Sequence, residues 1–380
     1  MGLLRMLLAF SVLTAHMQGK NILGFRLIYG NLAVQCFFMI SGFYMALVLN
    51  EKYFRPGDYM PFLRQRVLRL FPACFFVLIL MLVIEGIVSL AAGKPLETYA
   101  IWFQHAADFS WSTWLVMIFS NVFVVGQEVN LFQAVDPVTG NLYFIRHFFD
   151  APIPATSLIF NGPSWTLALE MMFYVIAPFI VRWSAWPQIL VCLASVGLRI
   201  GTYWMIDPTE NSWHMVHFFP YELAFFMAGS IGYQIYRHKK ALLKSLEGFT
   251  HWFRWVFFAL IIAYSRLPGG AYLRESILVP ALFLMIPLLF FHTKNNPRDR
   301  LIGELSYPFY LVHSLILFTM RPWVPHYFPS VFVGPLYAIM SVGSAYLIYR
   351  FIDEKIDNYR HRLFERTRAE SPPAEMVPAK

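Results

Sequence analysis

A polytopic bundle of membrane-spanning α-helices is the fold this sequence predicts, and three observations predict it. Of its 380 residues 58% are hydrophobic and 18% aromatic while only 14% are charged, against about a quarter charged in ordinary soluble domains. Mean hydropathy is +0.53. Apolar runs of membrane-crossing length recur along the chain, and Lys and Arg gather in short blocks between them. The net charge of +8 therefore reports orientation in a bilayer and excludes nucleic acid as the natural partner.

Windows of about 20 residues give apolar segments near 3–18, 28–50, 70–92, 110–127, 164–181, 186–206, 218–236, 252–267, 275–292, 303–320 and 331–350. The basic blocks at 52–69, 237–254 and 294–300 and the tail from Arg350 are expected to be cytoplasmic. An even number of crossings must separate the first two blocks, yet the segments from 70–92 to 218–236 make an odd number. One of them does not cross. The weakest is 110–127, which is short and carries Ser110, Ser112, Thr113, Ser120, Asn121 and Gln127, so it reads as re-entrant or interfacial. The expectation is an all-α bundle of about ten transmembrane helices with both termini cytoplasmic.

The first segment has a basic residue before an apolar run, as a signal peptide does. No small-x-small cleavage pattern follows, so it counts as the first span. Residues 93–163 form the main non-spanning insertion, rich in aromatic residues and turn formers, and read either as a lid over a site or as a packed loop. A transmembrane domain over 1–368 and a disordered cytoplasmic tail over 369–380 complete the organisation. Cys36, Cys74 and Cys192 all lie in apolar segments and offer neither a disulfide framework nor metal-ligand spacing. His214 and His217 form an HxxH without an evident third ligand, so no metal is expected.

Polar residues inside the spans carry the functional signal. His16 lies eleven helical steps after Arg5; at ~100° and ~1.5 Å per residue both look out of one helix face, roughly 16 Å apart. Neither group belongs against lipid. The structural alternative makes Arg5 an anchor and His16 an interfacial residue. Arg66 and Arg69 sit at i, i+3, a double guanidinium fork suited to phosphate, or else plain positive-inside anchoring. Glu170 lies inside an apolar helix, where anchoring cannot explain it. Glu222 is nearer the interface and reads as structural. Ser306, Tyr310 and His313 share a face and line a cavity or an interhelical hydrogen-bond cluster.

Taken in order, the motifs are Arg5 with His16; Phe37-Phe38-x-Ile40-Ser41-Gly42-Phe43; Arg66-x-x-Arg69-x-x-Pro72; Trp165-Thr166-Leu167-x-x-Glu170-x-x-Phe173-Tyr174; and Ser306-Tyr307-x-x-Tyr310-Leu311-x-His313. Together, over nearly the whole chain, they resemble the acyltransferase-3 family of integral-membrane O-acyltransferases. The resemblance implies a multi-pass protein of the bacterial inner membrane. It implies transfer of an acyl group, usually acetyl from cytoplasmic acetyl-CoA, to a hydroxyl of an extracytoplasmic polysaccharide, lipopolysaccharide or glycolipid. His16 matches the family's first-helix histidine, Arg5 its companion, Arg66 and Arg69 the arginines associated with acyl-CoA, and Glu170 the acid of the tryptophan motif. Gln35 departs from the acidic residue common there, and Leu8 from alanine.

On that reading His16 takes a proton from the acceptor hydroxyl or carries the acyl group itself. Glu170 is expected to orient its imidazole. Trp165, Tyr310 and His313 are expected to bind the acceptor. The competing class is a transporter or flippase of glycans or lipids, against which the lack of an internal repeat counts.

Overall fold

Long apolar stretches without water-facing periodicity fold as helices because no other open backbone satisfies its own amides in hydrocarbon. The structure, a computed structural model, describes residues 1–95, 97–145, 150–205, 216–321 and 323–370. The helices are α1 Gly2–His16, α2 Gly30–Glu51, α3 Tyr59–Ala92, α4 Glu97–His105, α5 Trp111–Phe123, α6 Trp165–Ile180, α7 Ala185–Met205, α8 Phe219–His238, α9 Lys240–Ser245, α10 Glu247–Ala263, α11 Ala271–Thr293, α12 Pro297–Met320, α13 Val324–Tyr327, α14 Ser330–Ile348 and α15 Glu354–Glu370. A single two-stranded antiparallel hairpin, β1 Gln133–Val135 and β2 Leu142–Phe144, accompanies them among the described residues. Seven of the described helices are long and apolar enough to cross a bilayer, and α1 and α5 are shorter apolar helices. The chain is a multi-pass integral membrane protein.

Two helix pairs define the bundle. Helix α1 runs parallel to α12: its N-terminus meets Asp299 and its C-terminus meets His313. The carboxylate of Asp299 accepts from the amides of Gly2 and Leu3 at 2.8 and 3.0 Å and so caps a helix from another helix. Helix α2 runs parallel to α8, with Gln35 beside Glu222 and Glu51 beside Tyr233. Here glycines set the spacing: a Cβ on Gly42 would lie 1.9 Å from the Phe226 carbonyl oxygen, and one on Gly229 1.8 Å from that of Met39. The close approach lets Phe226 stack on both Phe38 (4.6 Å) and Phe173 (4.2 Å). All of this belongs to one continuous apolar core.

The bundle has two unlike ends. Met1, Arg69, Glu304 and Asp299 mark the arginine end; His16 and the 93–163 insertion mark the loop end. The insertion has its own small core of Phe109, Met117, Val135, Ile153, Ala155 and Leu158. Within it, α5 turns its polar residues inward. Asn121 donates to the carbonyls of Met117 and Leu158 and accepts from the Phe160 amide. Gln127 accepts from Ser164, just before α6, at 2.6 Å. The opposite stripe of α5, Trp111, Leu115, Phe119 and Phe123, is exposed. The residues that weaken 110–127 as a span are therefore struts of the insertion.

Two boundaries depart from expectation. Helix α3 starts at Tyr59, so the basic block with Arg64, Arg66 and Arg69 is its first turns and not a loop before it. After α14 the chain passes through a π-helical turn, Tyr349–Asp353, into α15, so the first residues of the expected tail, 369–370, are helical, and 371–380 lie outside the described residues.

Because the α2–α8 crossing has no room for a methyl group, Gly42→Ala should destabilise the protein by about 1–3 kcal/mol, as overpacking does. Thermal unfolding in detergent reads this as a lower Tm; an unchanged Tm would show that the crossing has slack.

Candidate active site

Side chains that two pairs of packed helices cannot fill leave a cavity of about 530 Å³ opening at the arginine end, within the range of small-molecule sites. Arg5, Arg66, Arg69, Lys294 and Arg300 stand around its mouth; Ser41, Glu170 and Tyr174 lie further in, and Val34, Phe37, Thr166 and Tyr310 are also part of its lining. Arg69 is ion-paired with Glu304. Arg66 lies beside the ring of Phe62, and its Nε is buried without a hydrogen-bond partner. One carboxylate oxygen of Glu170 accepts from Ser41 Oγ and Tyr174 Oη, each at 2.6 Å.

The inner limit is built by Tyr310. Its hydroxyl donates to the Pro163 carbonyl at 2.9 Å and shares a hydrogen bond with Thr166 Oγ1 at 2.9 Å. Its ring meets Phe37 edge-on at 6.2 Å and, on another side, His313 at 5.6 Å. His16 and His313 lie past this layer, at the loop end, and do not line the cavity.

Hydrogen bonds fix the tautomers of both imidazoles. A carbonyl only accepts, so His16 Nδ1, 2.9 Å from the Val12 oxygen, carries the proton. By the same argument His313 Nδ1 carries one toward the Tyr310 carbonyl at 2.6 Å. His313 Nε2 is then an acceptor, 3.3 Å from His16 Nδ1. What remains is the lone pair of His16 Nε2, on an exposed residue at the loop end. That lone pair is able to accept a proton.

A family model described as an acyltransferase domain matches residues 1–350. The chain belongs to the acyltransferase-3 family. It is an acyltransferase, and similarity to curated proteins extends over its length. Nodulation protein 10 of Rhizobium leguminosarum bv. viciae is 24% identical over 96% of this chain and 94% of its own. A putative acetyltransferase, ORF330, of Acidianus two-tailed virus is 25% identical over 50% of this chain and 58% of its own. An uncharacterized protein of Aquifex aeolicus is 24% identical over 53% of this chain and 90% of its own. No solved structure matches.

In this acyltransferase, Arg5, Arg66, Arg69, Glu170 and Tyr310 meet in one cavity, whereas His16, His313 and Trp165 do not join them. The expectation that Glu170 orients His16 is corrected: its hydrogen bonds go to Ser41 and Tyr174, and the imidazole is held by His313 and a backbone carbonyl. His313 is buried against His16 and does not line the cavity. The ring of Trp165 lies against that of His217, centroids 3.7 Å apart and planes tilted by 43°. His214 lies outside the described residues, and no metal-binding group occurs among those described. Glu304 and Asp299 escaped the sequence reading; both lie in the first turns of α12, where no local pattern announces a partner on α3 or α1.

The Gln35 departure has a structural reason. Gln35 Nε2 donates at 3.1 Å to Glu222, a fully buried carboxylate that also meets Arg199 at 3.4 Å. An acid at position 35 would oppose it. Gln35→Glu should cost about 1–3 kcal/mol, read as a lower Tm at neutral pH, and adding Glu222→Gln should restore it. A double variant no more stable than Gln35→Glu alone would show that the pair is not coupled.

Proposed function

We propose that the protein is an O-acyltransferase that moves an acyl group, acetyl being the favoured one, from acyl-CoA at the arginine end to a carbohydrate or glycolipid hydroxyl at the loop end. The observation that carries this reading is His16: its Nδ1 proton is committed, its Nε2 lone pair is free, and it stands opposite a phosphate-suited cavity. The positive-inside pattern makes the arginine end cytoplasmic and the loop end extracytoplasmic, with about ten crossings and both termini inside. That places the donor where acyl-CoA is found and the acceptor across the membrane, in a protein whose location is then the bacterial inner membrane.

Arg66 and Arg69 hold the donor's phosphates by charge-assisted hydrogen bonds, with Arg5 on the same wall. Glu304 yields Arg69 as the anion arrives. The thioester arm extends along the cavity past Glu170 and crosses the Phe37–Tyr310 layer, a path of about 16 Å if measured as the eleven helical steps from Arg5 to His16. His16 Nε2 then takes the proton of the acceptor hydroxyl as its oxygen attacks the thioester carbonyl. The tetrahedral adduct collapses, the carbon–sulfur bond breaks, and the thiolate takes the proton back from the imidazolium. General base catalysis of this kind contributes roughly 10²- to 10⁴-fold. His313 acts by positioning, since a ring held at Nδ1 cannot turn its lone pair away.

Membranes incubated with labelled acetyl-CoA and surface glycan should transfer label to glycan, and His16→Ala should abolish transfer while the protein still inserts and expresses. Label transferred by His16→Ala at the wild-type rate would overturn the mechanism. His313→Ala should lower kcat up to about a hundredfold, the effect of a misplaced catalytic group, with the acetyl-CoA KM unchanged. A rise in KM with kcat intact would instead make His313 a binding residue.

A further inference from the structure

Helix α15 follows the residues that the family model matches, which end at 350, yet it walls the same cavity. Asp357, Arg360 and His361 all line the mouth. Buried Gln65 on α3 docks the helix with two opposed hydrogen bonds: its Nε2 donates to the Arg360 carbonyl and its Oε1 accepts from Arg360 Nε, both at 3.1 Å. Arg360 Nη1 also donates to Asp357 Oδ1 at 2.8 Å. The guanidinium is thus held in a fixed direction, within electrostatic range of Arg66 and Arg69.

Such crowding of cations is unfavourable by itself, and the nearby carboxylates relieve only part of it. Asp299 is engaged by the Met1 ammonium, Glu304 by Arg69 and Asp357 by Arg360. Arg66 faces the same space with a buried Nε that has no partner. A mouth of this composition suits a ligand with several separated negative charges. Coenzyme A is one: its diphosphate and its 3′-phosphate monoester are distinct anionic centres. The i, i+3 forks of α3 match adjacent phosphates, and the single fork of Arg360, arriving from another helix, matches an isolated one.

We propose that α15 is a wall of the donor site and that Arg360 binds the 3′-phosphate of the acyl donor. The proposal rests on the reading of this cavity as an acyl-CoA site and goes beyond it by assigning a role to a segment outside the family's matched region.

The test is binding of coenzyme A and of dephospho-coenzyme A, which lacks the 3′-phosphate, to the full chain in phosphatidylcholine nanodiscs. Wild type should prefer coenzyme A about tenfold or more, the scale of one charge-assisted hydrogen bond. Arg360→Ala should erase that preference and leave dephospho-coenzyme A affinity unchanged, and Arg360→Lys should recover part of it. Asp357→Asn removes a competing negative charge and should tighten coenzyme A binding. If the Arg360–Asp357 pair serves only to hold the helix, the same change weakens both ligands equally and the proposal fails. It fails also if Arg360→Ala still discriminates, or if phosphatidylglycerol nanodiscs abolish the Arg360 dependence, which assigns the residue to a lipid headgroup. In those cases the acyl-CoA site at Arg66 and Arg69 stands. Wild type that binds neither form overturns the acyl-CoA reading itself.

Discussion

Polar side chains inside this bundle have no bulk water to fall back on, and that constraint organises its interior. Four of them find a partner on another helix. Glu170 joins α6 to α2 through Ser41, Glu222 joins α8 to α2 through Gln35, Arg69 joins α3 to α12 through Glu304, and His16 joins α1 to α12 through His313. The pairs that satisfy these groups therefore also fix the axial register of the helices. Helices α2 and α12 recur because they flank the cavity. Glycines at the α2–α8 crossing do the complementary work, letting backbones approach where no polar bond is available.

The fold class was legible because its signal is local. Apolar windows and basic blocks each occupy a few tens of residues, and even the odd segment at 110–127 announced itself by side chains, Ser120, Asn121 and Gln127, that need polar partners. The partners themselves were not legible. Arg69 and Glu304 are 235 positions apart, and His16 and His313 are 297 apart; no periodicity links them. Glu170 is instructive in the other direction. Its contact with Tyr174 is an i, i+4 pair written in the sequence, whereas a role beside His16 followed only from chemical analogy. Helix α15 stayed hidden because its residues are charged and its anchor, Gln65, lies far away in sequence.

The arginine-lined cavity and the histidine pair thus occupy separate places in one bundle. The arginine end offers charge and volume; the loop end offers a tautomer-fixed imidazole and a folded insertion. Tyr310 touches both, through the cavity wall on one side and the ring of His313 on the other. Its backbone carbonyl sets the His313 tautomer while its hydroxyl is tied to the turn that starts α6. A shift of this residue is felt at both ends.

The Phe37–Tyr310 layer has a further consequence, for the cell and not for the reaction. A protein that passes a small group across a membrane without passing anything else must not be a pore. A continuous polar channel from the arginine end to His16 would conduct protons and ions down the membrane potential, each charge releasing about 2.3 kcal/mol per 100 mV. Two aromatic rings, with the Tyr310 hydroxyl hydrogen-bonded to Pro163 and Thr166, stand in the way of such a channel. On the proposed reading, the layer that the donor arm has to part is also the one that would keep the resting enzyme electrically tight.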